Sequence, residues 1–366
     1  MAANILHGLD TGDGFVGDIT PRPSEIVKID SDLDFSTFAY EAGWTDGLPV
    51  VEPTRERIEA MIAAAKLSPL DVIGVVPPGK GVATAESIAA NAVMAGCEPK
   101  HFPVLIAAIK AILTPAFNIN GQQATTSPVA PAVMVSGPGV KALGFNAKHG
   151  CLGPGNKANA TVGRAIRFCL VNIGYGIPGK TDMATQGSPG KYTFCFAENQ
   201  DDNPWAPQHV DRGFNADATC VTAFQASMVA NILDLGSKTA ESLMTSIADA
   251  MSTTNHNNTQ LANGDLLILL CPEHASILGR EGLTKDDVKQ YLAQNAVVPA
   301  SRFSDGILSC VRDFRGQIYK RISRNTILPV VEDWRHIQIA VAGGAGSNSV
   351  FIPGWGNGWS SCAKVE

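Results

Sequence analysis

The chain has 366 residues, of which 45% are hydrophobic and 17% charged, a composition typical of a well-packed protein of one large or two ordinary domains. Its net charge of −6 provides no basic surface of the kind that nucleic-acid binding needs. No apolar run is long enough to predict a transmembrane helix, and the N-terminus lacks the pattern of a secretion signal, so we expect a cytoplasmic protein without membrane contact.

The first 35 residues are rich in Gly, Asp and Pro, and we expect an irregular N-terminal arm over 1–40. The rest, 41–366, predicts a single large α/β unit, with a subdivision near 215–265 left open. An ordered loop, WTDGLPVVEPT, follows the arm. Apolar residues spaced three and four apart then predict helices at 55–67, 83–96 and 102–113.

Three later segments share one pattern, an aliphatic run that ends in glycine, proline and small polar residues. They are 131–144, 265–279 and 337–351, and the first two predict a strand that passes directly into a helix. Ligands bind beyond the carboxyl ends of such strands. If the strands are neighbours, residues 136–139, 271–274 and 343–349 therefore lie near a site.

The middle of the chain predicts a helix over 155–173, beginning near Asn159 or Thr161. It also predicts a half-buried strand over 191–197, with 218–226 as its antiparallel partner. Together these elements predict an α/β protein with mixed sheets covered by helices. The repeated strand-to-helix pattern leaves room for two intertwined α/β subdomains.

Polar groups are densest between Cys151 and Arg212, which favours a pocket because such groups are costly to bury unpaired. In GPGNKANATVGRA, the backbone amides near Asn156, Asn159 and Thr161 suit an anion, and Arg164 could bind a carboxylate or phosphate. The alternative is that the asparagines cap the helix and the arginine pairs with a structural acid.

Cys195, Glu198 and His209 include the residue types of a nucleophile and an acid–base pair. Cys97 lies in a bend beside Lys100 and His101, where its pKa could be lowered. The alternative for each is a structural role in the core or in a loop. The eight cysteines contain no CxxC pair, and CPEHA at 271–275 is a poor metal motif because neighbouring side chains diverge on a helix.

Several segments resemble the successive signatures of a poorly characterised microbial family recognised by a DGLPVVPPT-type loop. They are WTDGLPVVEPT, NAVMAGCEPKHFPV, NGQQATTSPVAP, GPGNKANATVGRA, DMATQGSPGKYTFCFAEN, PWAPQHV and VAGGAG. Members are often paired with a small domain carrying a UGSC or CGSC redox motif, which implies thiol or selenol chemistry in that partner. This chain has no such motif.

The resemblance also implies which positions matter. The residues that match the family are Asp46, Gly47, Cys97, Gln123, Asn159, Arg164, Cys195, Glu198, Asn199 and His209. Relatives have a histidine where this chain has Asn120 and Ser127, and a histidine-asparagine pair where it has Ala230-Asn231. If those histidines bind metal or move protons in the family, that chemistry is lost or relocated here.

These observations favour an enzyme that acts on a small polar or anionic metabolite by thiol-assisted lyase or redox chemistry. In this hypothesis Arg164 and the 155–161 amides orient the substrate, Glu198 or His209 moves a proton, and Cys195 or Cys97 supplies a thiolate. Neither GxSxG nor HExxH is present. The hypothesis requires the arginine, the acid and the sulfur to line one cavity.

Two alternatives remain at the level of the sequence. One is a non-catalytic subunit that binds a metabolite or docks a separate redox protein, which the missing histidines favour. The other is a metal-dependent hydrolase or lyase that uses His209, Glu198 and Asp211. We expect a homo-oligomer, and the sequence identifies no cofactor.

Overall fold

The computed structural model describes residues 20–29, 33–261, 264–316, 318–319 and 321–366. It is an α/β protein that combines helices with mixed sheets, which confirms the predicted fold class. The helices are α1 (Phe35–Glu41), α2 (Arg55–Ala64), α3 (Ala85–Ala95), α4 (Phe102–Ile112), α5 (Ile119–Ala124), α6 (Gly139–Leu143), α7 (Lys157–Asn172), α8 (Gln208–Asp211), α9 (Ala240–Met251), α10 (Asn257–Leu261), α11 (Pro272–Arg280), α12 (Lys285–Asn295) and α13 (Asp305–Arg315). The strands are β1 (Val72–Val76), β2 (Gly81–Thr84), β3 (Ala130–Ser136), β4 (Cys195–Ala197), β5 (Cys220–Ala226), β6 (Ala230–Leu233), β7 (Leu266–Leu270), β8 (Val297–Pro299), β9 (Ile327–Pro329), β10 (Ile337–Val341), β11 (Asn348–Ile352) and β12 (Ser361–Lys364).

Two four-stranded sheets share one strand order. The first sheet runs β12-β5-β3-β4, and the second runs β6-β11-β7-β10. In the first, β3 pairs parallel with β4 and antiparallel with β5; in the second, β7 pairs parallel with β10 and antiparallel with β11. The outer strands β12 and β6 pair antiparallel with β5 and β11. The two sheets therefore have the same order and the same strand directions.

The fourth strand of each sheet comes from the other half of the chain. The first half supplies β3, β4 and β5 to the first sheet, and its next strand, β6, pairs with β11 in the second. The second half supplies β7, β10 and β11 to the second sheet, and its last strand, β12, returns to pair with β5. This reciprocal exchange makes two intertwined α/β halves, as the repeated pattern left room for.

The central strands alternate their side chains between two cores, as strand geometry requires. Val133 and Val135 of β3 pack against the helices α2, α3, α4 and α7, whereas Met134 faces the second sheet. In β7, Ile268 packs with α9, α11, α12 and α13, whereas Leu269 faces the first sheet. The layers therefore run helices, sheet, sheet, helices. Each sheet is covered by helices on one face and by the other sheet on its second face.

The predicted strand in the middle of the chain is shorter than expected and has a different partner. β4 is three buried residues, and Tyr192 lies exposed in the segment before it. The strand pairs parallel with β3, while the segment predicted as its antiparallel partner forms β5. The predicted hairpin is wrong because β3 lies between the two strands.

The helices expected at 55–67, 83–96 and 102–113 are present as α2, α3 and α4, and α3 ends at Gly96 with a φ of 89°. Helix α7 begins earlier than predicted, at Lys157, because the Asn156 side chain accepts a hydrogen bond from the Asn159 N–H over 2.9 Å. The hairpin of β1 and β2 was not predicted.

The predicted arm lies largely outside the described residues, since 1–19 and 30–32 are not described. The prediction of irregular structure is wrong for the end of the arm, because Phe35–Glu41 form the helix α1. The Asp34 carboxylate accepts a hydrogen bond from the Thr37 N–H over 2.9 Å and caps this helix.

Within the described ranges, no single helix is long and apolar enough to cross a membrane; one pair, Pro99–Ile112 and Pro115–Ala124, meets the length and composition together but is bent by 71°.

Candidate functional site

The Arg164 side chain, which was predicted to bind an anion, is paired with the Asp46 carboxylate of the protein itself. Its guanidinium donates to both carboxylate oxygens of Asp46 over 2.8 and 2.7 Å and to the carbonyl oxygens of Leu48 and Pro49. The pair anchors the 44–50 loop to α7. Asp46, also placed among the substrate-binding residues, is therefore held by the same contact.

The other predicted binding residues of α7 have local partners too. Asn156 caps the helix, and its amide donates to the carbonyl oxygen of Gly144. Buried Asn159 bonds to both backbone groups of Asn146 and to the carbonyl of Cys151. The Thr161 hydroxyl donates to the preceding turn of its own helix. The capping alternative describes these residues better than an anion site does.

Gln123 and Asn199 are buried and make structural contacts. The side-chain oxygen of Gln123 accepts a hydrogen bond from Arg167, while its nitrogen has no partner among the described residues. The Asn199 amide donates to Asp202 and to the carbonyl of Gly343. Asn199 therefore joins the ends of strands that belong to different sheets.

Cys195 and Cys97 are core residues. Both belong to the cluster between the first sheet and its helices. Burial raises the pKa of Cys195, and it raises the pKa of Cys97 to about 12 despite a hydrogen bond from Thr161. The predicted thiolate roles are corrected on this ground, because a neutral buried thiol is a poor nucleophile.

Glu198 and His209 lie in the buried base of the 198–212 loop. Both carboxylate oxygens of Glu198 accept from the Gln208 N–H over 3.0 Å, and burial raises the pKa of Glu198 to about 7. Burial lowers the pKa of His209, and neither of its ring nitrogens has a well-aligned partner among the described residues.

The predicted convergence fails. Glu198 borders a cavity of about 520 Å³, here named the Glu198 cavity, together with Lys141 and Lys148. Arg164 is turned toward Asp46 on a different element, and Cys195 is sealed in the core. The arginine, the acid and the sulfur therefore do not share a cavity.

The described part of the chain contains no group of three His, Cys, Asp or Glu side chains placed to hold a metal ion. Asp211, part of the metal-dependent alternative, is paired with Lys285 over 2.6 Å. The described residues thus give that alternative no ligand set.

A different cysteine and histidine meet at the carboxyl end of β7. Cys271 follows the strand and occupies the N-cap position of α11, and His274 lies in the first turn of that helix. The Ser349 hydroxyl, from β11, lies 2.7 Å from His274 Nδ1 and donates to Cys271 Sγ over 3.6 Å. The other ring nitrogen, Nε2, lies 3.0 Å from the carbonyl oxygen of Asp234.

This arrangement favours a thiolate and an imidazolium. Burial by itself would raise the pKa of Cys271, but hydrogen bonds from His274 and Ser349 outweigh it and lower that pKa. Burial would lower the pKa of His274, but the contacts to Cys271 and to the Asp234 carbonyl raise it. By contrast, burial raises the thiol pKa at Cys97, Cys151, Cys169, Cys195, Cys220 and Cys362.

A cavity of about 620 Å³, here named the His274 cavity, is lined by His274; of the described residues, Cys271 and Ser349 are not part of its lining. Lys238 and Arg280 line it, and neither side chain has a hydrogen bond or ion pair within the described ranges. Glu273 also lines it and has one buried carboxylate oxygen without a partner among the described residues. Asp202 and Asp234 line the cavity as well, so three carboxylates stand beside the two cations and the cavity suits a polar metabolite.

Part of this site was predictable. The rule that ligands bind beyond strand ends selected 271–274 and 343–349 on condition that the strands are neighbours, and β7 does lie between β10 and β11. A cysteine and a histidine three residues apart at the start of a helix bring an N-cap side chain close to one in the first turn. This spacing was the signal for the Cys271 group, and the interpretation of the segment as a metal motif did not use it. Ser349 is the last residue of the second segment, 343–349, although no local pattern identified it as the partner of His274.

Comparison with known proteins adds no assignment: no protein-family model matches the chain, and no curated protein matches it.

Proposed function

We propose that this chain is an enzyme that acts on a small polar or anionic metabolite, with Cys271 as its thiolate and His274 as the proton acceptor. Lys238 and Arg280 donate hydrogen bonds to acceptor groups of the substrate. The unpaired carboxylate oxygen of Glu273 accepts a hydrogen bond from it. The reaction class is thiol-assisted lyase or redox chemistry, now at Cys271.

One observation carries the proposal: Cys271, Ser349 and His274 form a continuous hydrogen-bonded group, and its histidine lines a cavity that Lys238 and Arg280 also line. Thiolates are the reactive form of cysteine, and a helix N-terminus next to a protonated histidine is a setting that stabilises them. The Cys271 thiol lies at the N-terminus of α11, and the Ser349 hydroxyl can take the thiol proton while it gives its own to His274 Nδ1.

Thiol mapping of the native protein tests the proposal. Cys310 is exposed and will react in any case, so the experiment uses the Cys310→Ser chain. The folded protein is treated with methyl methanethiosulfonate at neutral pH, and modified cysteines are located by peptide mass mapping. Cys271 is expected to react first, with a rate that depends on pH below the range of an ordinary thiol.

The matched control is the Cys271→Ser, Cys310→Ser double variant, which should show no fast modification. If Cys271 stays unmodified while the core cysteines react only on unfolding, the thiolate proposal is wrong.

A non-catalytic subunit that binds a metabolite is the second candidate. It is favoured by the burial of the pair, since Cys271 is 3% and His274 1% exposed, and by the way His274 ties α11 to β11 and to the 234 loop. In that case Cys271→Ser should lower the melting temperature and leave anion binding in the His274 cavity unchanged.

A further inference from the structure

A second cavity, of about 540 Å³, lies on the first half of the chain and shares no lining residue with the His274 cavity. Its walls come from the 45–46 loop, from one face of α7 and from the 178–192 segment. We name it the Lys191 cavity.

The Lys191 cavity holds more positive than negative charge. Arg167 Nη2 lies 2.7 Å from Asp182 Oδ2, and Lys191 Nζ lies 2.8 and 2.6 Å from the two oxygens of the same carboxylate. The side chains of Arg167, Lys191 and Asp182 are 8%, 11% and 2% exposed, so water screens their charges poorly. Asp46, the other acid of the lining, is already neutralised by Arg164. One positive charge is left over.

Hydrogen-bond donors are also in excess. An ammonium has three donors, and the Asp182 carboxylate is the acceptor that Lys191 has in the described part of the chain. Behind Arg167, the side-chain nitrogen of Gln123 is buried without a partner in that same part. Burial lowers the pKa of Lys191, and the charge of Arg167 acts in the same direction against the contact with Asp182. An added anion would relieve this excess.

The remaining walls are largely apolar. Phe168 and Val171 of α7 line the cavity together with Pro178, Pro189 and Tyr192 of the 178–192 segment. The volume lies within the range of sites for small organic ligands, which are lined mainly by apolar groups with a few polar ones that fix orientation. A small inorganic anion would leave these walls in contact with water.

We propose that the Lys191 cavity binds an organic monocarboxylate with an apolar body. The carboxylate accepts hydrogen bonds from Lys191 and Arg167, and the body packs between Tyr192 and the α7 face. This site is separate from the proposed thiolate site.

Binding of phenylacetate to the full chain, measured by isothermal titration calorimetry, tests the proposal. Inorganic phosphate is the probe for charge without an apolar body, and 2-phenylethanol is the probe for an apolar body without charge. Phenylacetate is expected to bind at least about tenfold more tightly than either, since both the charged contact and the apolar contact are needed.

Lys191→Met keeps the length of the side chain and removes its charge, and it should weaken phenylacetate binding by about tenfold or more. Lys180→Met is the matched control, because Lys180 lies in the same segment but does not line the cavity. Tyr192→Ala alters an exposed residue and should also weaken binding, which keeps the test decisive if the Lys191 variant does not fold.

Equal affinity of the Lys191 and Lys180 variants for phenylacetate, or phosphate binding as tight as phenylacetate, would overturn the proposal. Cys271→Ser should leave phenylacetate binding unchanged, so failure of the thiolate proposal and failure of this one are distinguishable.

Discussion

The backbone N–H of Asn199 donates to the carbonyl oxygen of Val341 over 2.8 Å. This bond joins the segment after β4 in the first sheet to the end of β10 in the second, and the Asn199 side chain adds a bond to Gly343. The carboxyl ends of parallel strands from both halves therefore meet at one edge of the sandwich. The Glu198 cavity and the His274 cavity lie on either side of this junction, with Asn199 lining the first and Asp202 the second.

The two halves carry different groups at matching positions. The Glu198 N–H bonds to the carbonyl of Val135, and the Ala342 N–H bonds to that of Leu270, so Glu198 and Ala342 occupy the same place in each sheet. The residue that follows the central strand is a cysteine, Cys271, in the second half. The halves share an architecture, but the acid belongs to one and the thiol to the other.

Arg164→Met should destabilise the fold, because it leaves the Asp46 carboxylate without its bidentate partner. The two side chains are 16% and 10% exposed, and removing one member of such a mostly buried pair should lower the free energy of unfolding by about 2 to 3 kcal/mol. Urea denaturation measures this change.

Lys141→Met is the matched control for that loss. Its pair with Asp201 is exposed, so the change should cost at most about 1 kcal/mol. Equal effects of the two substitutions would show that the Asp46–Arg164 pair does not anchor the 44–50 loop.

Cys195→Ser should destabilise the protein without affecting thiol reactivity at Cys271. It places a hydroxyl in an apolar core, which costs about 1 to 3 kcal/mol when no partner is available. Cys310→Ser, at an exposed position, should change the free energy of unfolding by no more than about 0.5 kcal/mol. Unchanged stability of the Cys195→Ser protein would contradict the structural role of Cys195 in the core.

Local sequence patterns predicted most of the helices and strands. They did not predict which strands pair, because that depends on residues far apart in the chain. Helices α2, α3 and α4 and the strands β3, β7 and β10 follow from apolar spacing and from glycine and proline at their ends. The exchange of β6 and β12 depends on contacts between residues more than a hundred positions apart, which no local signal encodes. The predicted length of β4 was wrong because the alternation of aromatic and small residues begins at 192, whereas only Cys195–Ala197 pair in the sheet.

The site shows the same division. The strand-end rule located Cys271 and His274, whereas the density of polar groups between 151 and 212 pointed to residues that turned out to hold loops. A cluster of asparagine, arginine and glutamate serves a long irregular loop as well as it serves a substrate, because both need every buried polar group paired. Only the partners distinguish the two, and those come from distant segments such as the Asp46 loop.

Glu198→Gln should remove a pH dependence of stability. The pKa of Glu198 is raised from its usual value of 4.5 to about 7 in the folded chain, so the folded state binds its proton more tightly than the unfolded state does. Stability from this group is therefore complete below pH 4.5 and is lost as the pH rises toward 7. The difference in the free energy of unfolding between wild type and Glu198→Gln should fall by about 3 kcal/mol across this range.

Chemical denaturation of both proteins at several pH values measures that difference, and groups that titrate in both proteins cancel. The glutamine can still accept one hydrogen bond from the Gln208 N–H, so the variant should fold. A difference that does not change with pH would mean that Glu198 titrates normally.

His274→Asn should slow the modification of Cys271 at neutral pH by about tenfold, because the thiol loses the hydrogen bond and the positive charge that favour its ionised form. Raising the pH should restore the rate, since hydroxide then supplies the thiolate that the histidine no longer stabilises. The measurement is the rate of alkylation by iodoacetamide against pH in the Cys310→Ser chain. His336→Asn is the matched control, because His336 lies beside the opposite end of β10 and contacts Asp265 instead. A rate profile that His274→Asn leaves unchanged would show that the histidine does not activate the thiol and that the Cys271 group has a structural role.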